Sequence, residues 1–208
     1  MSKRAFCQQC NKALSACICH SIRALSNQHF LHVLQDPSEK NKAIGTARIL
    51  ALSLSQVKIS VGEVFSSHEF DLNNSFLVFP DNSAKAVEHL KKTQEINDNS
   101  QFILLDGSWK KAYKLLMMNP FLQHLPKVTF NTTYQTSYRI RKSSREDGVS
   151  TVEAGYYLLS ELENDYEKFK PLLKSFETMI NFQINHIPKA VYQKNYISNK
   201  AVSTKEKS

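Results

Sequence analysis

The chain has 208 residues, 41% of them hydrophobic, and a net charge of +8. That size suits one medium domain with its own core and a small appendage. No apolar run approaches the roughly 20 residues of a membrane-spanning helix, and Met1-Ser-Lys-Arg-Ala-Phe-Cys7 has no apolar stretch of signal-peptide type, so a cytoplasmic protein with no membrane partner is expected.

Residues 1–24 form a Cys-rich head: Cys7-x-x-Cys10, six residues, then Cys17-x-Cys19-His20. All four cysteines fall in this segment, and in a cytosolic chain such clustering favours a metal over disulfides. The first pair has zinc-knuckle spacing, and four thiolates make a closed tetrahedral set, so the expected ion is a structural zinc. His20 is a possible substitute ligand, and the alternative to a metal site is four unrelated buried thiols. Lys12 would soften the charge of such a site, and Lys12 and Arg23 are placed to meet a nucleic acid.

Residues 29–35 read as the first strand, ending in the turn Asp36-Pro37-Ser38-Glu39. Ile44 to Leu54 reads as a helix with Gly45-Thr46-Ala47-Arg48 in its first turn, and Gln56 to Val64 holds a short strand. Phe76 to Phe79 is a buried run stopped by Pro80. Asp81-Asn82-Ser83 then has the chemistry to cap a helix over 84–93.

Phe102 to Leu105 predicts a short buried strand, Asp106-Gly107-Ser108 a turn, and Trp109 to Met118 a helix with Trp109, Ala112, Tyr113, Leu116 and Met117 on one face. This junction places an acid and the only Trp at the carboxyl edge of a sheet, where open α/β folds bind ligands. The plain structural alternative is an Asp capping the helix and a Trp filling core.

Asn119-Pro120 ends that helix, and 126–130 is a strand. The segment 131–148 is a polar, basic loop bearing Tyr134, Tyr138, Arg139, Arg141, Lys142 and Arg145. Interleaved aromatics and guanidiniums suit stacking on unpaired bases and gripping phosphates; the alternative is a solvated loop. Ser150 to Leu162 reads as a helix opened by a Ser150/Glu153 capping box, followed by a helix over 166–186. The tail 189–208 reads as disordered; its five lysines against one glutamate carry half of the net charge. The rest of the charge includes Lys110, Lys111 and Lys114, a balance that suits a nucleic acid or simply a basic soluble surface. Strands alternating with helices predict one α/β domain over 25–188 with a largely parallel sheet.

Several short motifs in one order resemble the DTW-domain family of tRNA-uridine aminocarboxypropyltransferases. They are the cysteine head, Gln35-x-Pro37-x-Glu39, Thr46-Ala47-Arg48, Phe79-Pro80, Asp106-Gly107-Ser108-Trp109-x-x-Ala112, Asn119-Pro120, Leu125-Pro126, Tyr138-Arg139-x-Arg141-Lys142 and Ser150-Thr151-Val152-Glu153-Ala154. Ser108 stands where the family name has Thr, and Asp36 where the family usually has His. The resemblance implies a SPOUT-like α/β sheet with a C-terminal trefoil knot holding S-adenosylmethionine. It also implies transfer of the 3-amino-3-carboxypropyl group to N3 of a uridine in the tRNA variable loop, giving acp3U and methylthioadenosine. Cofactor contacts are then expected from Thr46, Leu77, Phe79, Pro80, Asp106, Gly107, Trp109, Ser150, Thr151 and Glu153, with Leu77, Phe79, Leu105 or Trp109 walling the methyl group. Catalysis is expected from Asp106, Ser108 and Trp109, with Asp106 either the general base or the group that positions the cofactor. RNA contacts are expected from Lys110, Tyr138, Arg139, Arg141 and Lys142. A SPOUT-type RNA methyltransferase and a non-catalytic zinc-containing RNA-binding module are the competing readings, and monomer and homodimer both stay open.

Overall fold

The computed structural model describes residues 5–130 and 149–186. The strands are β1 (Phe30–Gln35), β2 (Val57–Val61), β3 (Ser75–Val78), β4 (Lys85–Ala86), β5 (Gln101–Asp106) and β6 (Lys127–Thr129). The helices are α1 (Ala47–Ser53), α2 (Val87–Lys92), α3 (Trp109–Met118), α4 (Pro120–His124), α5 (Thr151–Glu163) and α6 (Tyr166–Asn185). The strands form one sheet in the order β2-β1-β5-β3-β6-β4, with every neighbouring pair parallel. An all-parallel sheet puts every strand's carboxyl end on one edge, so Gln35, Val78, Asp106 and Thr129 share a rim. The expected trefoil knot depends on the chain path through 131–148, which lies outside the described residues.

Strand alternation divides the core into two layers. Leu31, Val33, Phe76, Phe102 and Leu104 point to one face and join α1, α5 and α6 in the larger cluster. Leu34, Leu77 and Ile103 point to the other and pack with Phe70, Leu116, Leu122 and Leu125. Two side chains from the cysteine segment, Cys10 and Ile18, are buried in the larger cluster, so the head is continuous with the main core.

Helix α5 lies between α6, α2, α1 and the sheet, and ten of its residues are buried. Gly155 permits its approach to α1: a Cβ there would sit 2.7 Å from Leu50 Cδ2 and 3.2 Å from Cδ1, and Leu50 is fully buried. Gly155→Val is therefore expected to destabilise the fold by about 1–3 kcal/mol through overpacking, read as a lower urea midpoint with an unchanged m-value.

The second layer holds a buried histidine. His32 Nε2 lies 2.8 Å from Ser60 Oγ, the ring stacks on Phe70, and burial, then the Lys58 charge, pulls its pKa down to about 4. The unfolded chain takes up a proton near pH 6.5 where the folded one does not. Stability is thus whole above about pH 6.5 and falls as the pH drops towards 4, by about 3 kcal/mol in all. A pH series of urea melts should show this slope, and His32→Phe should flatten it.

Three local expectations change. Helix α1 begins at Ala47 rather than Ile44. Asp81 does not cap a helix: its Oδ1 accepts from the Ser83 N–H and hydroxyl, closing a turn that feeds the edge strand β4, and α2 starts only at Val87. Helix α3 buries Ala112, Leu115 and Leu116, while Tyr113 and Met117 are exposed. Asn119-Pro120 ends α3 as expected, and Pro120 then takes the first position of a further short helix, where a missing N–H costs nothing. No helix among the described residues is long and apolar enough to cross a membrane.

Candidate functional site

The cysteine head folds as a knuckle. The Cys7 N–H donates to Lys12 O at 2.8 Å, the Asn11 N–H donates to Cys7 O at 2.9 Å, and Asn11 takes a positive φ of 55° to close the turn. The Sγ atoms of Cys7, Cys10, Cys17 and Cys19 all lie within 4.8 Å of one another, with Cys7–Cys19 at 3.6 Å and Cys10–Cys17 at 3.8 Å. Tetrahedral bonds of about 2.3 Å place thiolates roughly 3.8 Å apart, so the set fits a four-sulfur metal site. Charge argues the same way. The backbone N–H groups of Cys10 and Gln9, then the Cys17 thiol, pull Cys7 down to about 6, whereas burial and then the neighbouring thiols push Cys19 up to about 12. Four thiols this close ionise together only around a cation.

Lys12 corrects the expectation that it meets RNA. It is buried, its ammonium donates to Ala43 O at 2.6 Å, and burial holds it below the ordinary lysine value against the opposing charge of Cys10. Its work is to tie the knuckle to the loop before α1, which Arg48 repeats by donating to Gln9 O at 2.9 Å. Arg23 is exposed.

The strand-turn-helix junction after β5 forms the centre of the carboxyl rim. Asp106 is buried at 6% exposure and caps no helix. Its Oδ2 accepts from Gln35 Nε2 at 2.7 Å and its Oδ1 from the Thr151 hydroxyl, so one carboxylate joins β1, β5 and the first residue of α5. Its backbone carbonyl accepts from the Asp36 N–H at 3.1 Å. Ser108 occupies the N-cap position of α3 but is exposed and makes no side-chain cap. Gly107 lets the first turn of α3 fold back closely: a Cβ there would lie 2.8 Å from Lys111 Cβ.

Lys111 uses that approach to bridge to the first turn. Its ammonium donates to Glu39 Oε1 at 2.8 Å and Ser38 Oγ at 2.6 Å, and Lys42 reaches the same Glu39 oxygen at 2.7 Å. Burial alone would raise the Glu39 carboxyl, but the Lys111 and Lys42 ammoniums outweigh it and hold it below the usual value. Asp36 accepts from the Ser38 hydroxyl and, at 2.9 Å, from the Ser38 N–H, so here it closes its own turn.

Trp109 is half-buried, with its ring edge-on to Phe79 at 5.7 Å. Phe79 and Leu105 pack against the second core layer, whereas Asp106 turns to the face of Gln35 and α5. The carboxylate and the indole thus flank the end of β5 from its two faces. Leu77 corrects the expected lining: its side chain has no exposed surface and fills the second layer between Leu34 and Ile103. Ser150 and Glu153 are spent on each other, through Ser150 Oγ and N–H to Glu153 Oε2 at 2.6 and 2.7 Å, and both are buried. Thr46 is buried at the start of α1, while Pro80 and Lys110 are exposed. Tyr134, Tyr138, Arg139, Arg141, Lys142 and Arg145 lie outside the described residues, as does the tail 189–208. The sequence does not pair Gln35 with Asp106 or Lys111 with Glu39; the signal available was an amide and an acid at the ends of two buried runs, with a second acid in the turn after the first.

The family profile described as "DTW domain" matches residues 4–184. The chain is 25% identical over 214 residues to tRNA-uridine aminocarboxypropyltransferase 2 of Macaca fascicularis, covering 98% of this chain and 72% of that protein. It is 25% identical to the protein of the same name from Drosophila melanogaster, covering 89% of this chain and 77% of that one, and 24% identical to that of Mus musculus, covering 94% and 69%. No solved structure matches it.

Proposed function

The chain belongs to the DTW-domain family, and from that premise we propose that it is a tRNA-uridine aminocarboxypropyltransferase using S-adenosylmethionine. The observation that carries the reading is the family's signature folded into a ligand-binding position: Asp106, Gly107, Ser108 and Trp109 form the turn at the carboxyl rim of a parallel sheet. Near-complete coverage of this chain by relatives bearing that name supports it.

The rim fits a sulfonium cofactor in charge and surface. Asp106 offers a carboxylate held by two donors, and Trp109 with Phe79 offers half-buried aromatic surface on the other face of the end of β5. S-adenosylmethionine supplies, when bound, a methionine Cγ made electrophilic by its sulfonium; uridine N3 gives its proton to solvent, the N3–Cγ bond forms, the S–Cγ bond breaks, and methylthioadenosine leaves. Asp106 pairs with a cationic group of that ligand, its carboxylate held in place by the Gln35 amide and the Thr151 hydroxyl. Trp109 and Phe79, with Leu105 behind them, wall the methyl group, so that geometry selects the longer carbon arm. Thr151 sets the Asp106 carboxylate, Gly107 allows close approach to the turn, and Pro80 flanks it. Lys110 and, in the basic segment, Tyr138, Arg139, Arg141 and Lys142 hold tRNA phosphate and bases. The four cysteines hold one zinc ion that fixes the head on the main core. The C-terminal part of the domain threads a trefoil knot, as the resemblance to SPOUT enzymes implies.

Nucleoside mass analysis of unmodified tRNA incubated with the protein and the cofactor tests this reading. The expected product is a uridine heavier by one aminocarboxypropyl group. An added methyl group would make the protein a methyltransferase, and bound but unmodified tRNA a binding module; either overturns the proposal.

A further inference from the structure

Gln35 lies at the last position of β1, directly opposite Asp106 in the parallel ladder. It is buried at 7% exposure, and its backbone carbonyl accepts from the Gly62 N–H at 3.1 Å, so the residue is fixed at its main chain. A carboxylate can only accept, so the 2.7 Å contact to Asp106 Oδ2 is donated by the Gln35 amide. The Thr151 hydroxyl occupies the other oxygen. Two donors from two different elements fix the plane of the carboxylate.

We infer that Gln35 is a positioning residue for the transfer reaction: its buried amide, opposed by the Thr151 hydroxyl, holds the Asp106 carboxylate in one orientation at the rim. The inference rests on the transferase reading. The amide is well suited to the task because it donates a hydrogen bond at every working pH, with no charge of its own to compete with that of the ligand. The other titratable groups of the turns meeting at this edge have partners of their own. Asp36 is held by Ser38, Glu39 by Lys42 and Lys111, and Glu153 by Ser150. None of them stands in for the Gln35 amide.

Two substitutions separate positioning from mere packing. Gln35→Leu keeps the bulk and removes the donor; kcat is expected to fall by about 10- to 100-fold while KM for tRNA stays within about 2-fold, as a misplaced reacting group dictates. Gln35→Glu is isosteric and sets two carboxyls in contact, which share one proton at lower pH and lose it at higher pH. With that proton in place the new acid donates to Asp106 as the amide did. The ratio of the Gln35→Glu rate to the wild-type rate should therefore be near one at about pH 6 and fall roughly tenfold by about pH 9. Comparing each variant with wild type at the same pH cancels the ionisation of uridine N3. Wild-type kcat in Gln35→Leu, or a Gln35→Glu ratio flat across pH, overturns the inference. A wild-type protein that yields no aminocarboxypropyl product overturns instead the transferase reading on which it stands.

Discussion

Asp106→Ala is expected to lower kcat for aminocarboxypropyl transfer by about 10²- to 10³-fold, the range seen when a preorganised electrostatic partner of a reacting centre is removed. Affinity for tRNA should stay within about 3-fold, because Asp106 is buried at the rim whereas phosphate contacts are expected from exposed cations. The substitution also strands the Gln35 amide and the Thr151 hydroxyl, at about 1–3 kcal/mol for each buried unsatisfied group. A melt must accompany the assay for that reason. Asp106→Asn separates the two effects: it keeps the shape and removes the charge, so it should lose activity with less loss of stability. Full activity in Asp106→Asn would remove the anion from the mechanism.

The second large effect concerns the cysteines. Purified protein is expected to carry one zinc per chain by elemental analysis, and Cys10→Ser to lose it. Cys10 and Ile18 are part of the main core, and Ser175 Oγ on α6 donates to Ser21 O at 2.9 Å, so the knuckle does not come apart alone. Loss of the metal should cost about 3–5 kcal/mol and lower Tm by about 10–15 °C. Chelation should do the same, and zinc should restore the wild type but not the variant. A melt unmoved by chelation, in protein shown to be metal-free, would mean that the thiols are structural on their own.

What the sequence conveyed was local. Apolar runs with turn residues at their ends located β1, β5 and the junction from Asp106 to Trp109, and the Ser150/Glu153 box marked the start of α5 to the residue. The same signals misread Asp81, because an Asp followed two residues later by Ser caps a turn as readily as a helix. Nor does helical spacing alone separate buried from exposed positions in α3, where Tyr113 and Met117 share the spacing of Ala112 and Leu116 but lie exposed. The candidate site was legible as residues and not as partnerships. Gln35 and Asp106 are 71 positions apart, and only the β1–β5 register brings them together. Lys111 read as one of a cluster of cations, yet its ammonium belongs to Glu39 across the rim. Leu77 was expected to wall the cofactor's methyl group, and strand alternation turns its side chain into the core.

The account turns on which carbon of the cofactor reaches the RNA. S-adenosylmethionine labelled in the aminocarboxypropyl chain, and separately in the methyl group, should be given to the protein with unmodified tRNA. The chain label is expected to enter the tRNA while the methyl label leaves with methylthioadenosine. Methyl label in the tRNA, or no label from either donor, would contradict it.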